Sequence, residues 1–338
     1  MPRVKIGLIG AGRIGCIHAE HLTSRISSAE LLMVADVREE AARSCAESYS
    51  IAHSTQDYRA VLEHPDIQAV VICSSTDTHA SMIEEAALAG KHIFCEKPIA
   101  LNLPTIDRAR AAVKRAGVKF QVGFNRRFDA NYRRVRQAVE QGEIGKPHLL
   151  HIISYDPAPP DLVYLRSSGG LFLDMSIHDF DMARFLIGSE VEEIFVQASV
   201  LGDPAIAEIG DVDTAIITLR FADGVIGTIS NSRYAPYGYD QRVELLGSEG
   251  AIAIGNDYQN SALISDRHSI RRDLPLHFFI ERYSESYLSE MRAFVEAILH
   301  DSPVPVNGLD GRVPVVMGLA ARKSFAEHRP VCLSEIEP

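Results

Sequence analysis

Two hydrophobic rhythms divide the chain. Through the first 123 residues, short runs rich in Val and Ile ("VKIGLIG", "LLMVAD", "AVVICSS", "KHIFCE", "VKFQVGF") alternate with Ala/Glu/Arg-rich stretches of helical length such as "REEAARSCAESY" and "THASMIEEAALAG". Near-continuous apolar strands separated by helices predict a parallel sheet covered on both faces, a doubly wound α/β domain over residues 1–123. After Gly123 the runs alternate apolar with polar: "LLHIISYD", "EEIFVQASV", "DTAIITLRFADGVIGTISNSR", "RVELLGSEGAIAIG" and "SALISD". Asp223-Gly224 and Gly247-Ser248-Glu249-Gly250 read as hairpin turns within them. This pattern predicts a second α/β domain, residues 124–338, on a large, mostly antiparallel open sheet with one face free for helices or another subunit. A long amphipathic segment, "FIERYSESYLSEMRAFVEAILH", and a last helix near residues 311–327 follow, the last helix free to pack back on the first domain.

One segment departs from ordinary core patterning. "GLFLDMSIHDFDMARF", residues 170–185, has the apolar content of a buried helix yet carries three aspartates and a histidine. Read as one helix, it puts Asp174, His178 and Asp181 at i, i+4 and i+7 on a single stripe flanked by Ile177, Met175 and Met182. Polar groups set among apolar ones must be paired or used. Asp179 falls on the far side of the wheel, toward a neighbouring element.

Composition narrows the partners. The chain of 338 residues has a formal charge of −11 and no basic block, which argues against nucleic acid and anionic membrane surfaces. Its five cysteines are scattered and never spaced as C-x-x-C, so no disulfide framework or zinc site is expected. No apolar run approaches a membrane span, and a cytoplasmic protein is the expectation.

The start of the chain carries specific chemistry. "GAGRIG" sets Gly10, Gly12 and Gly15 as G-x-G-x-x-G, with Arg13 and Ile14 between them, after a predicted strand and at the opening of a helix. The glycines serve a tight turn, close approach of a pyrophosphate, and helix-on-strand packing, while helix N-terminal amides face the phosphates. Asp36 ends the second strand 21 residues after Gly15, close to the roughly 20 expected of the acid that binds ribose hydroxyls. The pattern predicts a Rossmann domain that prefers NAD, since an acid there repels a 2′-phosphate. Asp36 as a simple helix cap is the competing reading, and Arg38 lies along adenine, grips a 2′-phosphate or is merely exposed. Ligands of open parallel sheets bind at the carboxyl ends of strands. That places Ser74, Ser75, Thr76 and His79 of "CSSTDTHA", and Glu96 and Lys97 of "FCEKP", among the cofactor residues.

The order "GAGRIG", Asp36, "STDTH", "EKP", "GFNRRFD", "SGGLFLDMSIHDFDMARF" resembles the glucose-fructose oxidoreductase and inositol dehydrogenase (Gfo/Idh/MocA) family, from residue 4 to about 300. "SYDPAPP", "YGYDQR" and "ERYSESY" look like its inositol 2-dehydrogenase branch. The resemblance implies NAD-dependent oxidation of one ring hydroxyl of a cyclitol, most simply myo-inositol, by an oligomer that is often a tetramer. It carries catalytic roles to Lys97, Asp174 and His178, and substrate contacts to Asn125, Arg127, Tyr155, Asp156 and Tyr237 alongside Asp174 and His178. Tyr155 stands where the branch has an arginine, which opens the substrate preference.

The residues themselves suit that chemistry. Histidine titrates near neutrality, so His178 is the expected base for a hydroxyl proton. Asp174 would orient it, and Lys97 would stabilise developing alkoxide charge. A structural i,i+4 pair or a metal site with Asp181 compete, the latter without a Cys or second His on the stripe; no metal is expected. Scyllo-inositol or a pyranose sugar as substrate, and a non-catalytic NAD(H)-binding regulator, are the alternative functions.

Overall fold

A computed structural model describes residues 3–336. The chain forms two compact units, one of Met1–Phe128 with Glu285–Val315 and one of Asp129–Ser284 with Val316–Pro338. The first is thus discontinuous, taking in residues 285–315 that lie beyond the expected boundary at 123.

In the first unit, β1 (Val4–Ile9), β2 (Ala29–Ala35), β3 (His53–Thr55), β4 (Ala69–Ile72), β5 (His92–Glu96) and β6 (Phe120–Gly123) form one sheet in the order β3-β2-β1-β4-β5-β6. Every pairing is parallel. The central strands earn that position by composition: all four residues of β4 are buried, and five of six in β1. Helices seal their ends with local chemistry. The helix Leu103–Ala116 begins where the Asn102 side chain accepts from Thr105 N–H and stops at Gly117, whose φ of +67° continues no helix. The core gathers Ile6, Leu8, Val34, Val71 and Phe94 with Leu288, Met291, Phe294 and Val295 from the returning segment.

In the second unit, β7 (Pro147–Tyr155), β8 (Val191–Ser199), β9 (Thr214–Phe221), β10 (Ile226–Ser232), β11 (Asp240–Gly247) and β12 (Ala251–Ile254) are joined by β15 (Val331–Cys332) in the order β12-β11-β7-β10-β9-β8-β15. β10 and β7 are parallel and the other five pairings antiparallel, giving the mostly antiparallel sheet the alternation predicted. "SALISD" contributes only a two-residue strand, β13 (Ile264–Ser265), paired with β14 (Ile270–Arg271) in a small exposed hairpin. Strict period-two burial marks β7, where Leu150, Ile152 and Ser154 are buried and the residues between are not.

The segment 170–185 is not one helix. Gly170–Asp174 and Ser176–Ile187 are separate helices meeting at Met175, where His178 N–H reaches only three residues back, to Met175 O, at 3.2 Å. The single i, i+4, i+7 stripe is therefore interrupted between Asp174 and His178. No helix among the described residues is long and apolar enough to cross a membrane.

Candidate active site

The glycine-rich turn has the shape a dinucleotide needs. Gly10 has φ +99°, and a Cβ on it would fall 2.6 Å from the Cys73 carbonyl; one on Gly15 would lie 1.9 Å from Gly10 O. A side chain at Gly12, by contrast, would meet nothing within 4 Å. The turn is thus packed shut below and open above. The helix Arg13–Glu20 starts at Gly12 with no side-chain cap and no acid in its first turn, so its amides face that open side. Exposed Arg13 and half-buried Ile14 sit on the same first turn. These features fit a pyrophosphate.

Asp36 closes the turn from β2. Its Oδ2 accepts from Ala11 N–H at 2.8 Å and its Oδ1 from Arg38 N–H at 2.9 Å. The carboxylate is fixed beside the glycine turn with lone pairs to spare for a ribose diol. The competing role as helix cap does not hold: Arg38 occupies the N-cap of the next helix. The Arg38 side chain is exposed, its Nε 3.5 Å from Asp36 Oδ1.

At the end of β4, Ser75 stands at the N-cap position of the helix Thr76–Leu88 with no side-chain cap bond, and Ser74 Oγ lies 2.7 Å from Thr78 Oγ1. His79 requires a correction. It is buried, with Nδ1 2.8 Å from Pro98 O and Nε2 3.0 Å from Ser74 O. Both ring nitrogens are engaged by main chain, so His79 braces the loops after β4 and β5 and does not offer a nitrogen to a nucleotide. Half-buried Lys97 follows directly on Glu96, the last residue of β5. Asn125 is buried in the short 3-10 turn Asn125–Phe128, and Arg127 Nη2 donates to Asp310 Oδ1 at 3.1 Å. Arg127 is therefore anchored by a carboxylate of its own unit.

In the second unit, Asp174 and His178 are the two residues of 171–183 that are not buried. Asp174 is held from two sides: Tyr164 Oη donates to Oδ1 at 2.8 Å and Arg233 Nη2 to Oδ2 at 3.2 Å. Arg233, 1% exposed, also places Nη1 4.0 Å from Asp156 Oδ2. One buried guanidinium so gathers the two candidate substrate carboxylates. No motif in the sequence announced Arg233 or Tyr164; an arginine closing a strand of alternating pattern was the only signal.

Asp179 and Asp181 are fully buried. Asp179 Oδ2 accepts from Asn231 Nδ2 at 2.7 Å, and Ser176 Oγ donates to Asn231 Oδ1 at 2.6 Å, pinning this helix to β10. Tyr155 and Tyr237 need a second correction. Successive residues on a strand face opposite sides, and Tyr155 lies on the open face of the sheet, its hydroxyl 2.7 Å from Ser230 Oγ. Tyr237 donates to Asp240 Oδ2 at 2.6 Å, beside Arg242, Asn256 and Tyr258 around a cavity of about 440 Å³. Neither tyrosine joins the Asp156–Arg233–Asp174 grouping.

A parallel sheet with an open glycine turn and a ribose-directed acid defines an NAD-binding oxidoreductase fold. Comparison with known proteins agrees: residues 4–124 match the oxidoreductase family with an NAD-binding Rossmann fold, and residues 132–253 the GFO/IDH/MocA C-terminal domain. The chain belongs to the Gfo/Idh/MocA oxidoreductase family. It is 48% identical to myo-inositol 2-dehydrogenase of Thermotoga maritima, over 98% of this chain and 99% of that one. It is 44% identical to inositol 2-dehydrogenase of Rhizobium meliloti, with the same coverage. Among solved structures, scyllo-inositol dehydrogenase from Lactobacillus casei with bound NAD(H) and scyllo-inositol superposes with a TM-score of 0.92, at 32% identity over 98% of this chain and 99% of that one.

Proposed function

We propose that the protein is an NAD-dependent inositol 2-dehydrogenase that oxidises myo-inositol to 2-keto-myo-inositol. The chemistry rests on one observation: across residues 171–183, the two side chains not buried are a carboxylate and an imidazole. The substrate rests on the near full-length relatives of that name at 48% and 44% identity.

Bound NAD supplies the hydride acceptor for the carbinol carbon. His178 takes the hydroxyl proton as hydride departs, leaving a ketone. Lys97 donates a hydrogen bond to the reacting oxygen and offsets its developing negative charge. Asp174, its carboxylate fixed by Arg233 and Tyr164, accepts from ring hydroxyls, and Asp156 does the same at the other end of the guanidinium. A site built on paired hydroxyls rejects analogues that leave its polar groups unpaired. Asn125 and Arg127 keep their expected role as substrate contacts, while Tyr155 and Tyr237 stand apart from the carboxylate grouping.

Scyllo-inositol is the second reading, supported by the likeness to the Lactobacillus casei enzyme. Absorbance at the NADH band with myo-inositol, scyllo-inositol, chiro-inositol and glucose tests both. Turnover fastest with myo-inositol is expected; turnover with glucose alone would overturn the cyclitol assignment. We further propose a cytoplasmic homotetramer built on the open face of the second sheet, which leaves Ile216, Ile226 and Leu246 exposed.

A further inference from the structure

Behind the glycine turn the first unit gathers a largely buried polar cluster, of which only Glu96 was expected to serve the cofactor. His18, on the helix that opens at the turn, is 0% exposed, and its Nε2 lies 2.9 Å from Glu96 Oε1. Its Nδ1 is buried with no hydrogen-bond partner. A bare lone pair is the cheaper state there than an unsatisfied N–H, which puts the ring proton on Nε2 and makes His18 a donor to an ionised Glu96. Cys73, at the end of β4, has its sulfur within 4.8 Å of both groups. Burial, then the Glu96 charge, pushes its thiol well above the ordinary range, so it is neutral.

Glu290, on the helix Phe279–Leu299, is fully buried and neither of its carboxylate oxygens has a hydrogen-bond partner. An ionised carboxylate cannot be sustained without one. Burial, then the charge on Glu96, pushes its acid well above the usual carboxylate range. Gln121, from β6, spends its amide on Glu290 O at 2.9 Å. The thiol of Cys95, the residue before Glu96, is likewise pushed up by burial and then Glu96. The fold reserves the space: a Cβ on Gly123 would lie 2.9 Å from Glu96 Oε2. Of two neighbouring glutamates, one is charged and one neutral, and the cluster holds a single negative charge at the carboxyl end of β5.

The strand order says what that charge faces. Asp36 on β2 takes the adenosine ribose and the β1 turn takes the pyrophosphate, so the other nucleoside extends over the ends of β4 and β5. We propose that Glu96 makes this site bind the oxidised, cationic nicotinamide in preference to the reduced, neutral one. The Glu96 carboxylate is 14% exposed, so water screens it only weakly, and it attracts the pyridinium while gaining nothing from the dihydropyridine. The inference rests on the NAD site described above and concerns only its preference between redox forms.

The test is a pair of equilibrium titrations, NAD+ and NADH without substrate, on the wild type and two variants, with ADP-ribose as a ligand that lacks the nicotinamide. Glu96→Gln should raise the ratio of the NAD+ to the NADH dissociation constant roughly tenfold and leave ADP-ribose affinity unchanged. Glu290→Gln, which replaces a group already neutral, should move the ratio less than about twofold. An unmoved ratio in Glu96→Gln, or an equal shift in Glu290→Gln, overturns the proposal. If Glu96→Gln no longer binds ADP-ribose, Glu96→Asp takes its place: the retained charge keeps the ratio within about twofold, and a tenfold rise overturns the proposal. A wild type that binds ADP-ribose but neither NAD+ nor NADH would overturn the cofactor reading as well.

Discussion

Arg233 and Asp174 form an ion pair, Nη2 to Oδ2 3.2 Å, in which the guanidinium is buried and the carboxylate keeps a small opening to solvent. Arg233→Met removes the guanidinium that lies beside Asp174 and Asp156. Removing one partner of a buried pair costs about 3 to 5 kcal/mol, and that loss is expected in urea unfolding. Turnover should fall as well, while NAD affinity, set in the other unit, should not change. A Met variant as stable as wild type would show that the pair is not what holds Asp174.

Lys97 and His178 should separate binding from chemistry. His178→Ala is expected to bind NAD normally and turn over at least about 100-fold more slowly. Lys97→Met should slow turnover alike, since the proposed mechanism sets Lys97 on the reacting oxygen as well. Near-normal turnover in either variant would remove that residue from the mechanism.

Asp36 accepts from the glycine turn and is the acid proposed to hold the ribose, so Asp36→Ala should lose on both counts. NAD affinity is expected to drop about tenfold, in line with one charge-assisted hydrogen-bond site. Affinity for NADP should hold or improve as the repulsion disappears. Titrations with both nucleotides check this, and an unchanged NAD constant would exclude the assignment.

His21, next to His18 on the chain's first helical segment, has its pKa pushed down to about 4 by burial and then by His18. A histidine harder to protonate folded than unfolded contributes stability above about pH 6.5, progressively lost as the pH falls toward 4. The full effect is of order 3 kcal/mol at most. Urea midpoints at neutral and acid pH should therefore diverge less in His21→Gln than in wild type. Parallel slopes for the two proteins would show that another group sets the acid limit.

Ile226 and Leu246 are about half exposed on the open sheet face. Charging both, as Ile226→Lys with Leu246→Lys, should convert the proposed tetramer to smaller species in light scattering, with far-UV circular dichroism unchanged. An unaltered mass would place the interface elsewhere.

The parallel sheet was legible because strands buried on both faces write themselves as unbroken apolar runs. β3 was not: its three residues, His53–Thr55, are polar and largely exposed, and they are strand because β2 offers Met33–Ala35 to pair with. The glycine turn and Asp36 could be read from spacing, since both are local. The helix over 170–185 was readable as helix but not as two, because Met175 has no side chain that signals a break. Tyr155 was expected at the substrate, although alternation along β7 already sends it to the face opposite Ser154. Arg233 and Glu290 lay beyond reach. Arg233 meets Asp174 across 59 residues, and nothing in "SEMRAF" marks Glu290 as a buried carboxylate rather than a solvated one.

The first unit finishes its core only with Leu288, Met291, Phe294 and Val295, far along the chain from β1. A ribosome that has released residues 1–128 has thus delivered every strand of that sheet but not the helix that covers part of it. At about 5 to 20 residues per second, the missing helix follows some 10 to 35 seconds later. During that interval the nascent sheet carries uncovered apolar surface, a natural substrate for chaperones, and a fragment expressed to residue 128 is expected to aggregate for the same reason.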